Sequence, residues 1–200
     1  MSAFNLPITL TWFRIIAIPL VAIAFYLPFE WGRPVSAALF ILAGLTDWLD
    51  GWLARRWNQT TPFGAFLDPV ADKLIVAIAL VILVHDAGRM PIDSAELLLT
   101  ATAAVIIGRE ITVSALREWM AHLGARARVA VSPIGKSKTI VQMVGISMML
   151  FSVPLMGVPI YELGFLLLLA AAVITLWSMF DYLRAAWPEL RASTRMPDQG

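Results

Sequence analysis

The sequence predicts an all-α, polytopic membrane protein with six transmembrane helices, on three observations. Of its 200 residues, 60% are hydrophobic and the mean hydropathy is +0.78, more apolar surface than a soluble domain of this size can hide. The apolar residues fall into six runs of about 20 residues, the length that crosses a hydrocarbon core about 30 Å thick. The basic residues gather on alternate connections, as they do when one side of a membrane retains them. Helices are expected because each run then satisfies its own backbone groups, whereas six spans this short are a poor match to a closed barrel.

The expected spans are 7 to 28, 35 to 55, 66 to 85, 95 to 118, 136 to 153 and 160 to 183. The first does not read as a cleaved signal, because Arg14 lies inside the apolar stretch and no small-residue cleavage site precedes a polar region. Gly32 and Pro34 punctuate the approach to the second span, and Pro62 and Gly64 make a short link to the third. Gly88 and Pro91 separate the third from the fourth, and the longest polar connection, 119 to 135, carries Gly124, Pro133 and Gly135. Pro154, Gly157 and Pro159 mark the last turn, and beyond Trp187 and Pro188 the tail to Gly200 is polar and expected to fray. There is no repeat at a fixed period, so the whole chain, 1 to 200, reads as one domain.

If the connections at 29 to 34, 86 to 94 and 154 to 160 face outward, they hold only Arg33 and Arg89 of the 15 basic residues. Both termini then lie on the cytoplasmic side. Trp31, Trp57, Trp119 and Trp187 near the span ends read as headgroup anchors, and Met143, Met148, Met149 and Met156 as packing residues. The chain has no cysteine, which excludes disulfides, thiolate metal sites and cysteine nucleophiles. A net charge of +1 gives no reason to expect a nucleic-acid partner. His85 and His122 are isolated from each other and read as structural.

The chemistry is concentrated in the string Asp47-x2-Asp50-Gly51-x2-Ala54-Arg55-x8-Gly64-x3-Asp68-x3-Asp72. On a helix, Asp47, Asp50, Gly51 and Ala54 share one narrow stripe, and Asp68 and Asp72 are one turn apart on the next. Two adjacent antiparallel helices would thus each present a carboxylate pair. A charge at membrane depth costs roughly 2.5 to 3.5 kcal/mol on insertion scales, and facing carboxylates repel unless a cation intervenes. Oxygen-only ligation suits Mg²⁺ or Mn²⁺, one or two ions, with coordination places left for phosphate oxygens. Gly51, Ala54 and Gly64 leave room for a bulky ligand, and Arg55 can clamp a phosphate at two points. Taken singly, Asp68 before Pro69 also reads as a helix N-cap, Asp72 as a dipole partner, and Arg55-Arg56 as a positive-inside anchor.

At all eight fixed positions this string matches the signature of the CDP-alcohol phosphatidyltransferases, and the chain resembles that family from about residue 5 to 145. The flanking strings NLPITLTWFR, FGAFLDPVADK, IIGREITVSALREWMA and GKSKTIVQM are similar to bacterial members that use glycerol 3-phosphate as acceptor. Ile8 departs from the resemblance, standing where an Asn is common. The resemblance implies the CDP-alcohol phosphotransferase fold and a homodimer in the bacterial cytoplasmic (inner) membrane, among membrane lipids, with the active site facing the cytoplasm. It implies transfer of the phosphatidyl group of CDP-diacylglycerol to sn-glycerol 3-phosphate, giving phosphatidylglycerophosphate and CMP. Carried over by position, Asp47, Asp50 and Asp68 are metal ligands, and Asp72 shares a metal and acts as general base. Asp47, Gly51, Ala54, Arg55, Gly64 and Asp68 would then bind the CDP-lipid.

An anionic acceptor needs a second pocket. Arg109, Arg117, Lys136 and Lys138 flank the cytoplasmic connection between the fourth and fifth spans and are its candidates. Arg109 follows a long apolar run and should lie deeper than an anchor; the alternative is an ion pair with an acid such as Glu110. Lys136 and Lys138 point apart on a helix, so one of them enters the site. Arg126 and Arg128 read as solvated or lipid-paired, and Arg14 and Asp181 as pairing or capping groups outside the site. Two other readings remain: the same chemistry with serine, inositol phosphate or phosphatidylglycerol as acceptor, and a divalent-cation transporter. The second would place polar groups and broken helices at the membrane midplane.

Overall fold

Each apolar run becomes one helix. The computed structural model describes residues 6–57, 62–89, 94–123 and 133–193. Six helices follow one another: α1 (Leu6–Tyr26), α2 (Gly32–Trp57), α3 (Pro62–His85), α4 (Ala95–His122), α5 (Pro133–Phe151) and α6 (Ile160–Ser193), with a 3-10 turn at Ala87–Arg89. No strand occurs among the described residues. Ala95–His122 and Ile160–Pro188 are long and apolar enough to cross a membrane, with mean hydropathies of 1.5 and 2.3. Thr11–Tyr26 and Lys138–Phe151 are shorter apolar stretches. The outer surface is greasy as well: Ile16 and Ile23 of α1 and Leu166, Val173, Trp177 and Phe180 of α6 are exposed, as hydrocarbon-facing side chains must be.

Two boundaries differ most from the sequence expectation, and so does the placement of one methionine. Helix α3 begins at Pro62, where a residue without an N–H costs the first turn nothing. Asp68 is therefore nearly two turns inside the helix and is no N-cap. Helix α6 runs through Pro188 to Ser193 where fraying was expected. Tyr182 and Ala186, buried with Val113 and Met120 of α4, hold its last turns in place. Trp119 packs beside that cluster, so it is a packing residue as much as an anchor. Met156, expected to pack, is fully exposed at the tip of the α5–α6 turn, where it and Gly157 take positive φ values of 52° and 81°.

The chain order fixes which ends meet. The start of α1, α3 and α5 and the end of α2, α4 and α6 share one end of the bundle, and that end carries the candidate residues. Helix α1 packs on α2 and α3, and α5 packs on α2, α3 and α6. A core of Val21, Phe40, Leu80, Leu83, Leu99, Ile106, Ile146, Leu150 and Leu168 fills the space between them. At the opposite end Arg33 grips Asp86 through both guanidinium nitrogens at 2.7 Å, donates to Ser152 Oγ at 3.0 Å and lies 4.3 Å from the Phe25 ring centroid. Three connections are thereby tied together.

Helices α5 and α6 cross at two glycines. A Cβ on Gly145 would lie 2.9 Å from the Gly164 carbonyl oxygen, and one on Gly164 2.8 Å from the Gly145 oxygen. The near neighbours are backbone, so the contact cannot yield locally. Gly145→Val and Gly164→Val are each expected to destabilise by about 1–3 kcal/mol, checked by thermal unfolding in detergent. An unfolding temperature equal to wild type would show that the helices do not cross there.

Candidate active site

The site assembles from α1, α2 and α3. Arg14, 1% exposed, comes from α1, whose sequence contains no acid. Its Nη1 lies 3.0 Å from Asp47 Oδ1 of α2 and donates to Asp72 Oδ1 of α3 at 2.6 Å. One turn before Arg14, Thr11 Oγ1 donates to Asp68 Oδ1 at 2.7 Å. Arg14 lies at the floor while the Asp47 and Asp72 carboxylates above it remain 43% and 42% exposed. The two carboxylates are also close enough to interact with each other. Asp47 and Asp72 thus meet on one guanidinium, and Asp68, one turn before Asp72, is held separately by Thr11. The side chains of Asp50, Gly51, Ala54 and Arg55 lie outside the described residues, although their backbone is helical within α2. Gly64 is half-buried in the first turn of α3.

Among the described residues no three acidic or imidazole side chains stand together as a complete ligand set. Thr11 and Arg14 hold one oxygen of each carboxylate. The donor chemistry nevertheless fits a hard divalent cation. Every candidate ligand is a carboxylate, the groups are half open to solvent, and two of them face each other with one guanidinium between.

The basic candidates form a second cluster beside the first. Arg109 is 9% exposed on α4 and its Nη1 donates to Glu110 Oε1 at 2.9 Å; Lys138 of α5, 1% exposed, donates to the same oxygen at 3.2 Å. Arg117 Nη2 donates to Tyr182 Oη of α6 at 2.9 Å, and both guanidiniums lie near that ring, 5.8 Å for Arg109 and 5.1 Å for Arg117. Two cations thus share the Glu110 carboxylate, and a third, Arg117, meets Arg109 across the Tyr182 ring. The Nε atoms of Arg109 and Arg117 are buried and have no hydrogen-bond partner among the described residues. Buried donors left over in a cluster of net positive charge are what an anion would satisfy. The Lys136 side chain lies outside the described residues, as do Arg126 and Arg128. Arg109 makes the ion pair with Glu110 that the sequence set as the alternative to phosphate binding, and makes it inside a cationic cluster.

The two clusters are joined. Lys73, next to Asp72, donates to Ser114 Oγ of α4 at 2.5 Å, and Ser114 is one turn from Glu110. Lys73, Ser114, Thr11, Arg14, Glu110 and Tyr182 were not among the sequence candidates. The signal for Arg14 was present: a charge inside an apolar run without an acid in its own helix must find one elsewhere. His85 stacks edge-on with Tyr26 at 5.8 Å at the far end of the bundle, a packing role.

The family model described as CDP-alcohol phosphatidyltransferase matches residues 4–180. A relative from Salmonella choleraesuis (strain SC-B67), named "CDP-diacylglycerol--glycerol-3-phosphate 3-phosphatidyltransferase", is 51% identical over 187 residues, covering 94% of this chain and 97% of its own. A relative of the same name from Yersinia pestis (strain Pestoides F) is 51% identical over 189 residues, covering 93% and 97%.

Arg14→Met leaves two facing carboxylates without their guanidinium. Because the acids are more than one-third exposed, the expected loss is about 1–3 kcal/mol rather than the 3–5 of a fully buried pair, read by thermal unfolding. Adding Asp47→Asn to Arg14→Met should recover part of that loss; no recovery would mean that carboxylate repulsion is not its source.

Proposed function

The chain belongs to the CDP-alcohol phosphatidyltransferase family, and from that premise we propose that it transfers the phosphatidyl group of CDP-diacylglycerol to sn-glycerol 3-phosphate, releasing CMP and forming phosphatidylglycerophosphate. The observation that carries the reading is the convergence of Asp47, Asp68 and Asp72 from α2 and α3 on Thr11 and Arg14 of α1, beside a cationic cluster. The identity of 51% over nearly the whole of both chains supports the same activity and acceptor. The chain works as one membrane domain in the cytoplasmic membrane, its site end towards the cytoplasm, as a homodimer. The concentration of basic residues at that end supports the orientation.

Asp47, Asp50, Asp68 and Asp72 hold one or two Mg²⁺ or Mn²⁺ ions, with Asp47, Gly51, Ala54, Arg55, Gly64 and Asp68 around the CDP-lipid. When bound, the ion offsets pyrophosphate charge and the charge that grows on CMP as it departs. Asp72 accepts the proton of the acceptor hydroxyl. That hydroxyl's oxygen forms the new bond to the phosphorus bearing diacylglycerol, and the bond from that phosphorus to CMP breaks. Arg14 keeps Asp72 pointed at the site from below, and its burial excludes water from that side. Arg109, Arg117, Lys136 and Lys138 receive the acceptor's phosphate, Glu110 and Tyr182 fixing the cations in place. The two unpartnered Nε atoms support this assignment.

Purified protein is expected to release CMP from CDP-diacylglycerol only when glycerol 3-phosphate and a divalent cation are both present; release driven equally by serine or inositol phosphate would overturn the acceptor assignment. Asp72→Asn should lower turnover by about 100-fold or more while CDP-lipid binding persists, and unchanged turnover would remove Asp72 as the base. Arg109→Ala should raise the apparent KM for glycerol 3-phosphate roughly 10- to 100-fold, measured beside the KM for CDP-diacylglycerol. A defect confined to the lipid substrate would move Arg109 to the other pocket.

A further inference from the structure

Gln142 of α5 lies four residues after Lys138, one turn deeper into the bundle on the same helix face. It is 3% exposed, and its Oε1 is buried with no hydrogen-bond partner among the described residues. A buried acceptor left without a donor costs about 1–3 kcal/mol, so a Leu or Met here would give a more stable bundle. What surrounds it explains what could fill the vacancy in bonding. The next residue, Met143, packs its Cε against Gly44 of α2, where an added Cβ would meet it at 2.7 Å. Gly44 is one turn before Asp47 on that helix. On the other side, Lys138 reaches Glu110 in the cationic cluster. Gln142 thus lies one turn from Lys138 of the cationic cluster, and its chain neighbour Met143 packs on the helix that presents Asp47.

We propose that Gln142 is a specificity-determining residue that reads the hydroxyl of the acceptor that does not react. This rests on the glycerol 3-phosphate reading above. That acceptor has a phosphate at one end, the attacking hydroxyl at the other and a secondary hydroxyl between them. With the phosphate on Arg109, Arg117 and Lys138 and the attacking hydroxyl at Asp72, the middle hydroxyl falls between the two clusters and donates to Gln142 Oε1. One unsatisfied acceptor meets one unsatisfied donor, and no bond is made or broken at Gln142. A site built to bind a hydroxyl rejects an analogue lacking it far more strongly than an apolar pocket discriminates a methylene, because the protein group is left unpaired.

The test compares sn-glycerol 3-phosphate with 3-hydroxypropyl phosphate, which keeps the phosphate and the terminal hydroxyl and lacks the middle one. For the wild type, kcat/KM by CMP release should favour glycerol 3-phosphate by about tenfold or more. In Gln142→Met, and again in Gln142→Leu, that preference should collapse to within about twofold, the loss falling on glycerol 3-phosphate, with the KM for CDP-diacylglycerol unchanged. Thermal unfolding of both variants should match or exceed wild type, since an unsatisfied polar atom has been removed. A preference that survives in either variant overturns the proposal. So does a parallel loss on both acceptors with a lowered unfolding temperature, the mark of a purely structural residue. Wild-type protein that releases no CMP with glycerol 3-phosphate would instead overturn the acceptor reading, and this inference with it.

Discussion

The arrangement at the site end depends on Arg14. A guanidinium this deeply buried needs a counter-charge, and two carboxylates this close need a cation between them. Each requirement answers the other only if α1 packs against α2 and α3 at once, which it does. The asymmetry of exposure matters as much as the pairing. The cation is 1% exposed while the acids are 43% and 42% exposed, so the cluster has a dry floor and a wet mouth. An ion or a charged headgroup can reach the carboxylates from above without displacing the group that orients them.

Charge at this end is separated into two compartments. The acidic one places at least two carboxylates on one guanidinium, and the basic one places two cations on Glu110 with Arg117 beside them on Tyr182. Each compartment is incomplete in the opposite sense: the first lacks positive charge and the second lacks negative charge. Both substrates of the proposed reaction are anions, and only the first needs a metal to be held by acids. The Lys73–Ser114 bond ties the compartments across α3 and α4, so a shift of one helix would disturb both. The attacking hydroxyl and the phosphorus it attacks are thereby referred to a common frame, which is what proximity demands of a two-substrate transfer.

The six helices were legible in the sequence because hydropathy over about 20 residues is a local property, and their ends fell within a few residues of the expected spans. The larger boundary differences have local causes: Pro62 starts α3 early, and burial of Tyr182 and Ala186 carries α6 past Pro188. The aspartates were legible because their spacing repeats the helical period on neighbouring segments. Arg14 was visible as an anomaly but not as a site residue, since its partners lie 33 and 58 positions away and no period encodes such a pairing. Tyr182 was invisible for a further reason: it lies beyond the stretch of about 5 to 145 that carries the resemblance, in a helix whose sequence reads simply as apolar. Gln142 shared the signal of Arg14, a polar group inside an apolar run.

An end crowded with buried polar groups is a poor source of stability, and the bundle gains its cohesion elsewhere. The opposite end carries the bidentate Arg33–Asp86 pair, a cation over Phe25 and the tight α5–α6 turn. The middle carries the apolar core and the backbone contact of Gly145 with Gly164. Cohesion there lets the site end retain groups that weaken it: half-exposed facing carboxylates, guanidinium nitrogens without partners and an amide oxygen without a donor. Such groups persist where another molecule satisfies them. The Nε atoms of Arg109 and Arg117 belong to the cationic cluster, and the Oε1 of Gln142 lies one turn from Lys138 of that cluster, as expected of a surface completed by its substrates.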